Sequence, residues 1–392
     1  MNSISQLVRP IVKGVTFGAV VLLQMDGLAA EPRLLWGDTH VHSSYSPDAF
    51  FMGNHSATPD VAYRWAKGLP VVHPYTGTLV RIKTPLDFLI VTDHAEMLGV
   101  PYELAQGNPL ISDSAEGRRW SEMLKEGKGR ELFRSSFAKA IVTRKPIADF
   151  DGDDFRRSLW QRVIEHAEAH NEPGEFSALI GWEWSSSPDR ANLHRVIFTA
   201  NGADVASQFL PFSSLDSDRP EQLWQWLDST AVRTGADFIA IPHNSNISDG
   251  KMFPVVDSDG RAMTLKYAKM RAQWEPVVEI TQFKGDSETH PLLSPDDSFA
   301  GFESYSHLLG GGSPSEDPRS LRGSYVRGAL LRGLELEAKV GINPYAFGII
   351  GSTDSHTGLS SAEEDNFWGK FAIDSIPANK TKEVITGVNG TM

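Results

Sequence analysis

Apolar residues fall into two rhythms along this chain. Short, nearly unbroken apolar runs predict strands at Leu34–Trp36, Phe88–Val91, Ser177–Trp182, Arg195–Thr199, Phe238–Ile241, Val277–Thr281 and Ala346–Ile350. Strands buried on both faces look like this, as in parallel sheets and (β/α) barrels, because neither face needs polar residues. Between them, apolar positions three and four apart predict helices at Asp60–Lys67, Asp154–His170, Pro220–Thr234 and Ser320–Val340. Glycines 68, 235 and 341 supply stops for three of them. The alternation predicts an α/β domain rather than segregated layers. Two stretches, Gly99–Phe150 and Lys284–Pro318, are long, polar and rich in glycine, serine, proline or charge, and are expected to be lids or binding loops. After Asp354-Ser355-His356 a tail runs through Trp368 and Ile373 to Met392 with no clear terminal helix, as if a larger domain were C-terminally truncated.

The first thirty residues break the pattern. Arg9 and Lys13 are the charges that precede Asp26, and they flank the start of the apolar run Val15–Leu23, which is followed by Gly27, Ala29 and Ala30. A basic start, a short apolar run and small residues predict a signal peptide over 1–30, cleaved near Ala29 or Ala30, and a periplasmic or secreted protein with no stable membrane insertion afterwards. The run is too short to span a bilayer, which takes about 20 apolar residues. Residues 31–392 then form one domain with insertions near 99–150 and 284–318.

Composition narrows the chemistry. The 392 residues are 40% hydrophobic and 22% charged, enough for a large core. A formal charge of −13, without a clustered basic face, argues against nucleic acid. An anionic substrate would need local positive charge, which bound cations supply. The absence of cysteine rules out disulfides and thiolate ligands, so any metal must be held by imidazole and carboxylate.

Five segments place histidines or acids at or just after predicted strand ends: Asp38-Thr39-His40-Val41-His42, Thr92-Asp93-His94-Ala95-Glu96, Gly181-Trp182-Glu183-Trp184, Ile241-Pro242-His243-Asn244 and Gly351-Ser352-Thr353-Asp354-Ser355-His356. Active sites of parallel α/β folds gather at that edge. In a His-x-His pair on a strand both rings face one side, so His40 and His42 can share a metal. Asp354-x-His356 repeats that geometry with an oxygen donor. Asp93 and Glu96 flank His94, as partners that orient the ring or as a proton shuttle. Glu183, between two tryptophans, is costly to bury unpaired and should be neutral, metal-bound or paired with an arginine such as Arg190 or Arg195. His194 and His243 are each either ligands or satisfied core histidines.

Taken together, His40-x-His42, Thr92-Asp93-His94, His243 and Asp354-x-His356 resemble the four motifs of the polymerase-and-histidinol-phosphatase (PHP) superfamily of metal-dependent hydrolases. Gly37 to Ser46 is similar to its DUF3604 branch. The resemblance covers the chain from about Leu34 onward. It implies a distorted (β/α)7, TIM-like barrel carrying two to three divalent ions, Zn, Mn or Fe. By that resemblance His40, His42, Glu183 and Asp354 would hold one ion, with Glu183 bridging to a neighbour completed by His194 and His243. A third would take His94, His356 and Asp48, the acid that stands where many relatives have histidine.

The expected activity is hydrolysis by a water activated between two ions, most simply of a phosphoester in a small anionic substrate. Arg195, Arg190 or Lys284 would steady its oxygens. An amidohydrolase, lactonase or esterase on the same scaffold is the alternative, as is a non-catalytic, metal-binding secreted protein. Neither a Gly-x-Ser-x-Gly elbow nor a phosphate-binding P-loop is present.

Overall fold

The computed structural model describes residues 33–376 apart from Ser306, Gly310 and Ala362. The predicted signal peptide and the end of the tail lie outside the described residues. The described residues from Leu35 onward form one compact unit.

Among the described residues ten strands run in chain order: β1 Gly37–Val41, β2 Val71–Val72, β3 Leu79–Val80, β4 Phe88–Val91, β5 Ser177–Trp184, β6 Arg195–Thr199, β7 Phe238–Pro242, β8 Val277–Gln282, β9 Gly285–Asp286 and β10 Gly348–Gly351. Five form a curled, half-barrel sheet in the order β1-β4-β5-β6-β7, three form a smaller sheet β10-β8-β9, and β2 and β3 make a hairpin. The segment after β10 joins the larger sheet through two backbone bonds, Asp354 N–H to His40 O (2.9 Å) and His42 N–H to Ser355 O (2.8 Å).

The expected all-parallel sheet is corrected by β6. β1, β4 and β5 are mutually parallel, but β6 runs antiparallel to both β5 and β7. The cause is the short Ser185–His194 connection: a parallel crossover takes a dozen or more residues, usually a helix, whereas an antiparallel return does not. The first strand also shifts, beginning at Gly37 rather than Leu34, while Leu35 and Trp36 stay exposed. The last runs Gly348–Gly351 rather than Ala346–Ile350.

The helices match more closely. Pro59–Ala66, Asp153–His170 and Pro220–Thr234 lie within a residue of expectation at either end. The long helix expected over Ser320–Val340 is two, Pro318–Ser324 and Val326–Val340, broken at an extended Tyr325. The N–H groups of Val326 and Arg327 are taken by the carbonyls of Ser287 and Glu288, which diverts the chain there. Gly323 allows the close approach, since a Cβ on it would stand 2.3 Å from Gly250 O. Leu265–Trp274 is a helix that the apolar pattern did not announce, because its buried face includes Arg271.

The largest correction concerns 99–150. This segment is a run of short helices, among them Val100–Gln106, Ala115–Lys125 and Ala138–Thr143, and not a loop. Trp120, Leu132 and Phe137 are buried in the main core. Trp120 packs against Phe150 at 4.9 Å between ring centroids and against Phe51 at 6.5 Å, and Phe51 closes the helix Pro47–Phe51 that carries Asp48. By contrast 284–318 is mostly irregular, as expected of a long loop.

If 99–150 is core, Trp120→Ala should cost about 3–5 kcal/mol, the usual loss for a buried aromatic. Equilibrium unfolding in denaturant measures this; a lid would leave the midpoint where it was.

Candidate metal centre

The sheet delivers the histidines to one place for reasons of strand direction. β1, β4 and β5 point their C-terminal ends the same way, presenting His40 and His42, His94, and Glu183 at a common edge. Because β6 runs the other way, its start lies at that edge, and His194 immediately precedes it. β7 reverses again, so that Pro242 pairs with Arg195 and His243 follows. Asp354 and His356 arrive through the two backbone bonds to β1. Asp38 secures that junction by accepting hydrogen bonds from Thr353 Oγ1 (2.5 Å) and Ser360 Oγ (2.6 Å).

Glu183 is the centre of the arrangement, fully buried, with its two oxygens facing different histidines. Oε2 lies 3.0 Å from His42 Nε2, 3.3 Å from His40 Nε2 and 3.5 Å from His94 Nδ1. Oε1 lies 2.5 Å from His194 Nδ1 and 3.5 Å from His243 Nε2. Asp354 Oδ1 stands 3.3 Å from Nε2 of both His40 and His42. Its other oxygen, Oδ2, accepts from Gln282 Nε2 (2.6 Å) and Lys284 Nζ (2.5 Å), which turns Oδ1 toward the histidines. Asp354 itself holds a left-handed backbone at φ 54°, as does Asn244 at φ 49°, strain of the kind that persists at functional sites.

A second grouping lies toward solvent. Asp48 Oδ2 is 2.8 Å from His356 Nε2 and 3.3 Å from His94 Nε2. Donor atoms within 4.8 Å of one another define three buried groups that could hold ions: His40, His42 and Asp354; His40, Glu183 and His243; and His42, His94 and His356.

The electrostatics suit ligands. Burial alone would raise Glu183, but the imidazoles of His94, His194 and His243 outweigh it and hold the carboxylate well below its usual range. Burial would also raise Asp354, and Lys284 and Lys370 together reverse that. Burial keeps His40 well below the ordinary histidine range and brings His194 down to about 4 and His356 to about 3, leaving each ring neutral, the form that binds metal. For His94 burial is outweighed by Glu183 and Asp48, which lift it to about 10. Neither ring nitrogen of His243 makes a hydrogen bond among the described residues, although the side chain is fully buried. A buried polar group without a partner costs about 1–3 kcal/mol, and an ion shared with Glu183 would satisfy it. The residues present therefore fit a polynuclear metal centre.

All nine expected ligands, His40, His42, Asp48, His94, Glu183, His194, His243, Asp354 and His356, come together in this cluster. The three expected catalytic residues do not behave alike. Asp93 accepts from both N–H and Oγ of Ser43, at 2.6 Å each, and so fixes the turn after His42 rather than orienting His94. His94 Nδ1 instead meets Ser185 Oγ at 2.5 Å. Glu96 Oε1 accepts from the N–H groups of Ser185 (3.2 Å) and Ser214 (2.6 Å), while its Oε2 has no hydrogen-bond partner among the described residues. Arg195 points away from the histidine next to it, as alternate residues of a strand must. Its Nε donates to Glu275 Oε1 at 2.9 Å, and Arg271 Nη2 pairs with Glu275 Oε2 at 2.8 Å, so Arg195 belongs to a buried ion-pair network and not to the cluster. Among the described residues no arginine pairs with Glu183.

Sequence reasoning missed Glu279, Gln282 and Lys370. Glu279 Oε2 lies 2.9 Å from His40 Nδ1, and Lys370 Nζ lies 2.6 Å from Asp354 Oδ1 and 2.9 Å from His356 Nδ1. A carboxyl inside the apolar run Val-Val-Glu-Ile is the signal that marked Glu183, and it was available for Glu279. Lys370, in the tail, carried no comparable signal.

A family described as "Protein of unknown function (DUF3604)" matches residues 29–391. No curated protein matches the chain.

The separation of Arg195 from the cluster is measurable. Arg195→Met leaves Glu275 short of a buried partner and should destabilise the fold by about 3–5 kcal/mol, read by denaturant unfolding, while metal content per folded chain stays at the wild-type value. Loss of metal without loss of stability would return Arg195 to the site.

Proposed function

Since the chain belongs to the DUF3604 family, a group defined by sequence and not by activity, we propose from the geometry of its site that it is an exported, metal-dependent hydrolase acting on a small anionic substrate, most simply a phosphoester. The observation that carries this reading is the split coordination sphere of Glu183, with Oε2 toward His40, His42 and His94 and Oε1 toward His194 and His243. A carboxylate that faces two sets of imidazoles is the natural bridge between two cations. The resemblance to PHP motifs supports the same assignment, and with it a distorted barrel in which β8 and β10 close the circuit that the larger sheet begins.

Two divalent ions held there would acidify a water and polarise a phosphoryl centre, so hydrolysis would need no nucleophilic side chain. The rest falls to this chain's own groups. Gln282 and Lys284 orient Asp354 by occupying Oδ2. Lys284 also brings positive charge beside Asp354. Glu96, whose Oε2 has no hydrogen-bond partner among the described residues, is better placed than Asp93 to carry a proton, since both oxygens of Asp93 are engaged by Ser43. The basic start and short apolar run within residues 1–30 support export, and with it a reaction outside the cytoplasm.

Elemental analysis of the purified protein should find about two to three Mn, Zn or Fe per chain. Less than one after reconstitution would overturn the polynuclear reading. Chromogenic phosphomonoesters and diesters, carboxylic esters and lactones, assayed with added Mn or Zn, identify the electrophile. Turnover confined to esters or lactones would move the reaction to carbon, and no turnover of any class by metal-loaded protein would favour a binding role. Glu183→Gln should abolish activity and remove most of the metal; a fully active variant would show that Glu183 is no bridge.

A further inference from the structure

Several imidazoles of the cluster turn one nitrogen inward and rest the other on an oxygen of the surrounding shell, and the kind of oxygen differs. His42 Nδ1 meets Ser46 Oγ at 2.6 Å, His94 Nδ1 meets Ser185 Oγ at 2.5 Å, and His194 Nε2 meets Ser187 Oγ at 3.0 Å. A hydroxyl both donates and accepts, so these contacts leave the tautomer of each ring open. His356 Nδ1 lies 2.9 Å from the carbonyl of Asp354 and 2.9 Å from Lys370 Nζ, with Asp354 Oδ1 further off at 3.4 Å, so an acceptor and a cationic donor compete for it. His40 differs from all of these: its Nδ1 lies 2.9 Å from a carboxyl oxygen, Glu279 Oε2.

The position of Glu279 is costly. The side chain is 1% exposed, its Oε1 has no hydrogen-bond partner among the described residues, and Asp354, Asp38 and Glu183 all act on it as like charges. An apolar residue would suit the buried face of Val277-Val278-Glu279-Ile280 better on packing grounds. What the carboxyl gains there, among the described residues, is one directed contact, with His40. Through Nε2, His40 reaches both Glu183 Oε2 and Asp354 Oδ1 at 3.3 Å, as His42 does at 3.0 and 3.3 Å, so His40 is one of the two rings on which the central carboxylates converge.

We propose that Glu279 is a positioning residue that fixes the tautomer of His40, accepting its Nδ1–H and so keeping the Nε2 lone pair directed between Glu183 and Asp354. The inference rests on the metal-centre reading above for its purpose, though not for its test. An acceptor oxygen behind a ligating imidazole also makes the ring a stronger donor, and loss of such a partner commonly costs about 10–100-fold in metal affinity.

The test uses Glu279→Leu, which removes the acceptor, and Glu279→Gln, which retains a carbonyl oxygen. Nitrogen-15 spectra of the histidine side chains, with His40 assigned by difference against His40→Asn, report which nitrogen carries the proton in metal-free and zinc-loaded protein. The wild type and Glu279→Gln should show His40 protonated at Nδ1, whereas Glu279→Leu should shift protonation toward Nε2. Competition with a chromogenic chelator should find zinc bound about 10–100-fold more weakly by Glu279→Leu, with affinity restored toward wild type in Glu279→Gln. If the leucine variant fails to fold by circular dichroism, Glu279→Met provides the same removal with an unbranched chain. An unchanged His40 tautomer in the folded apolar variant, or a glutamine variant as impaired as the leucine one, would overturn the proposal. A wild type that binds no zinc would instead overturn the metal-centre reading, while the tautomer in metal-free protein would still decide the role of Glu279.

Discussion

The constraint on which this molecule is organised is a fully buried carboxylate. Glu183 lies between Trp182 and Trp184, fully buried, where an isolated charge would be driven to neutralise. It remains a carboxylate because imidazoles reach it from four directions: the end of β1, the turn after β4, the start of β6 and the end of β7. Each approach brings a strand end to within 2.5–3.5 Å of one of its oxygens. The curl of the sheet and the convergence at its edge are therefore two aspects of one arrangement, since a flat sheet would keep β1 and β7 too far apart to serve the same carboxylate.

The short return from β5 to β6 makes the second half of that arrangement possible. An antiparallel partner places its first residue, rather than its last, at the common edge, and so His194 arrives beside Glu183 without a crossover helix. The alternation of side chains then puts Arg195 on the opposite face, where it meets Glu275, and Trp224 Nε1 donates to the same oxygen at 2.9 Å. One dipeptide thus serves two unrelated purposes: an imidazole for the centre and a guanidinium that neutralises a buried acid beneath it.

What the sequence disclosed follows from how far each signal reaches. The ligand set was legible because a histidine or acid after an apolar run is a local pattern, and because order along the chain supplied the rest. Helices with a clear stripe and a glycine stop, such as Pro220–Thr234, were legible for the same reason. Strand direction was not, because it depends on which strands pair; the length of the Ser185–His194 connection held the answer but was not weighed. The segment 99–150 looked like a loop because Trp120, Leu132 and Phe137 are spread among charged residues, and each short helix contributes only a few apolar side chains to the core. Leu265–Trp274 escaped notice because its inward face includes a charge, and an apolar stripe cannot reveal a buried arginine stacked at 4.8 Å on Tyr345. Glu279 and Lys370 are supporting residues, whose meaning depends on neighbours remote in sequence.

The misread segment also bears on how the centre is reached. Side chains of the inner ligands His40, His42, Glu183, His243 and Asp354 are 0–1% exposed, whereas His94 is 12% and Asp48 20% exposed. Among its ligands the cluster is therefore most open on the Asp48 and His94 side. Asp48 sits in the first turn of the helix Pro47–Phe51, a helix too short to hold itself in place. Phe51, at its end, rests on Trp120, Phe133 and Phe137 of the 99–150 segment. The insertion accordingly acts on the site from behind, as the abutment that keeps the outermost acid at the entrance, and its place in the core is what allows a mobile-looking, charge-rich stretch of sequence to set a fixed geometry.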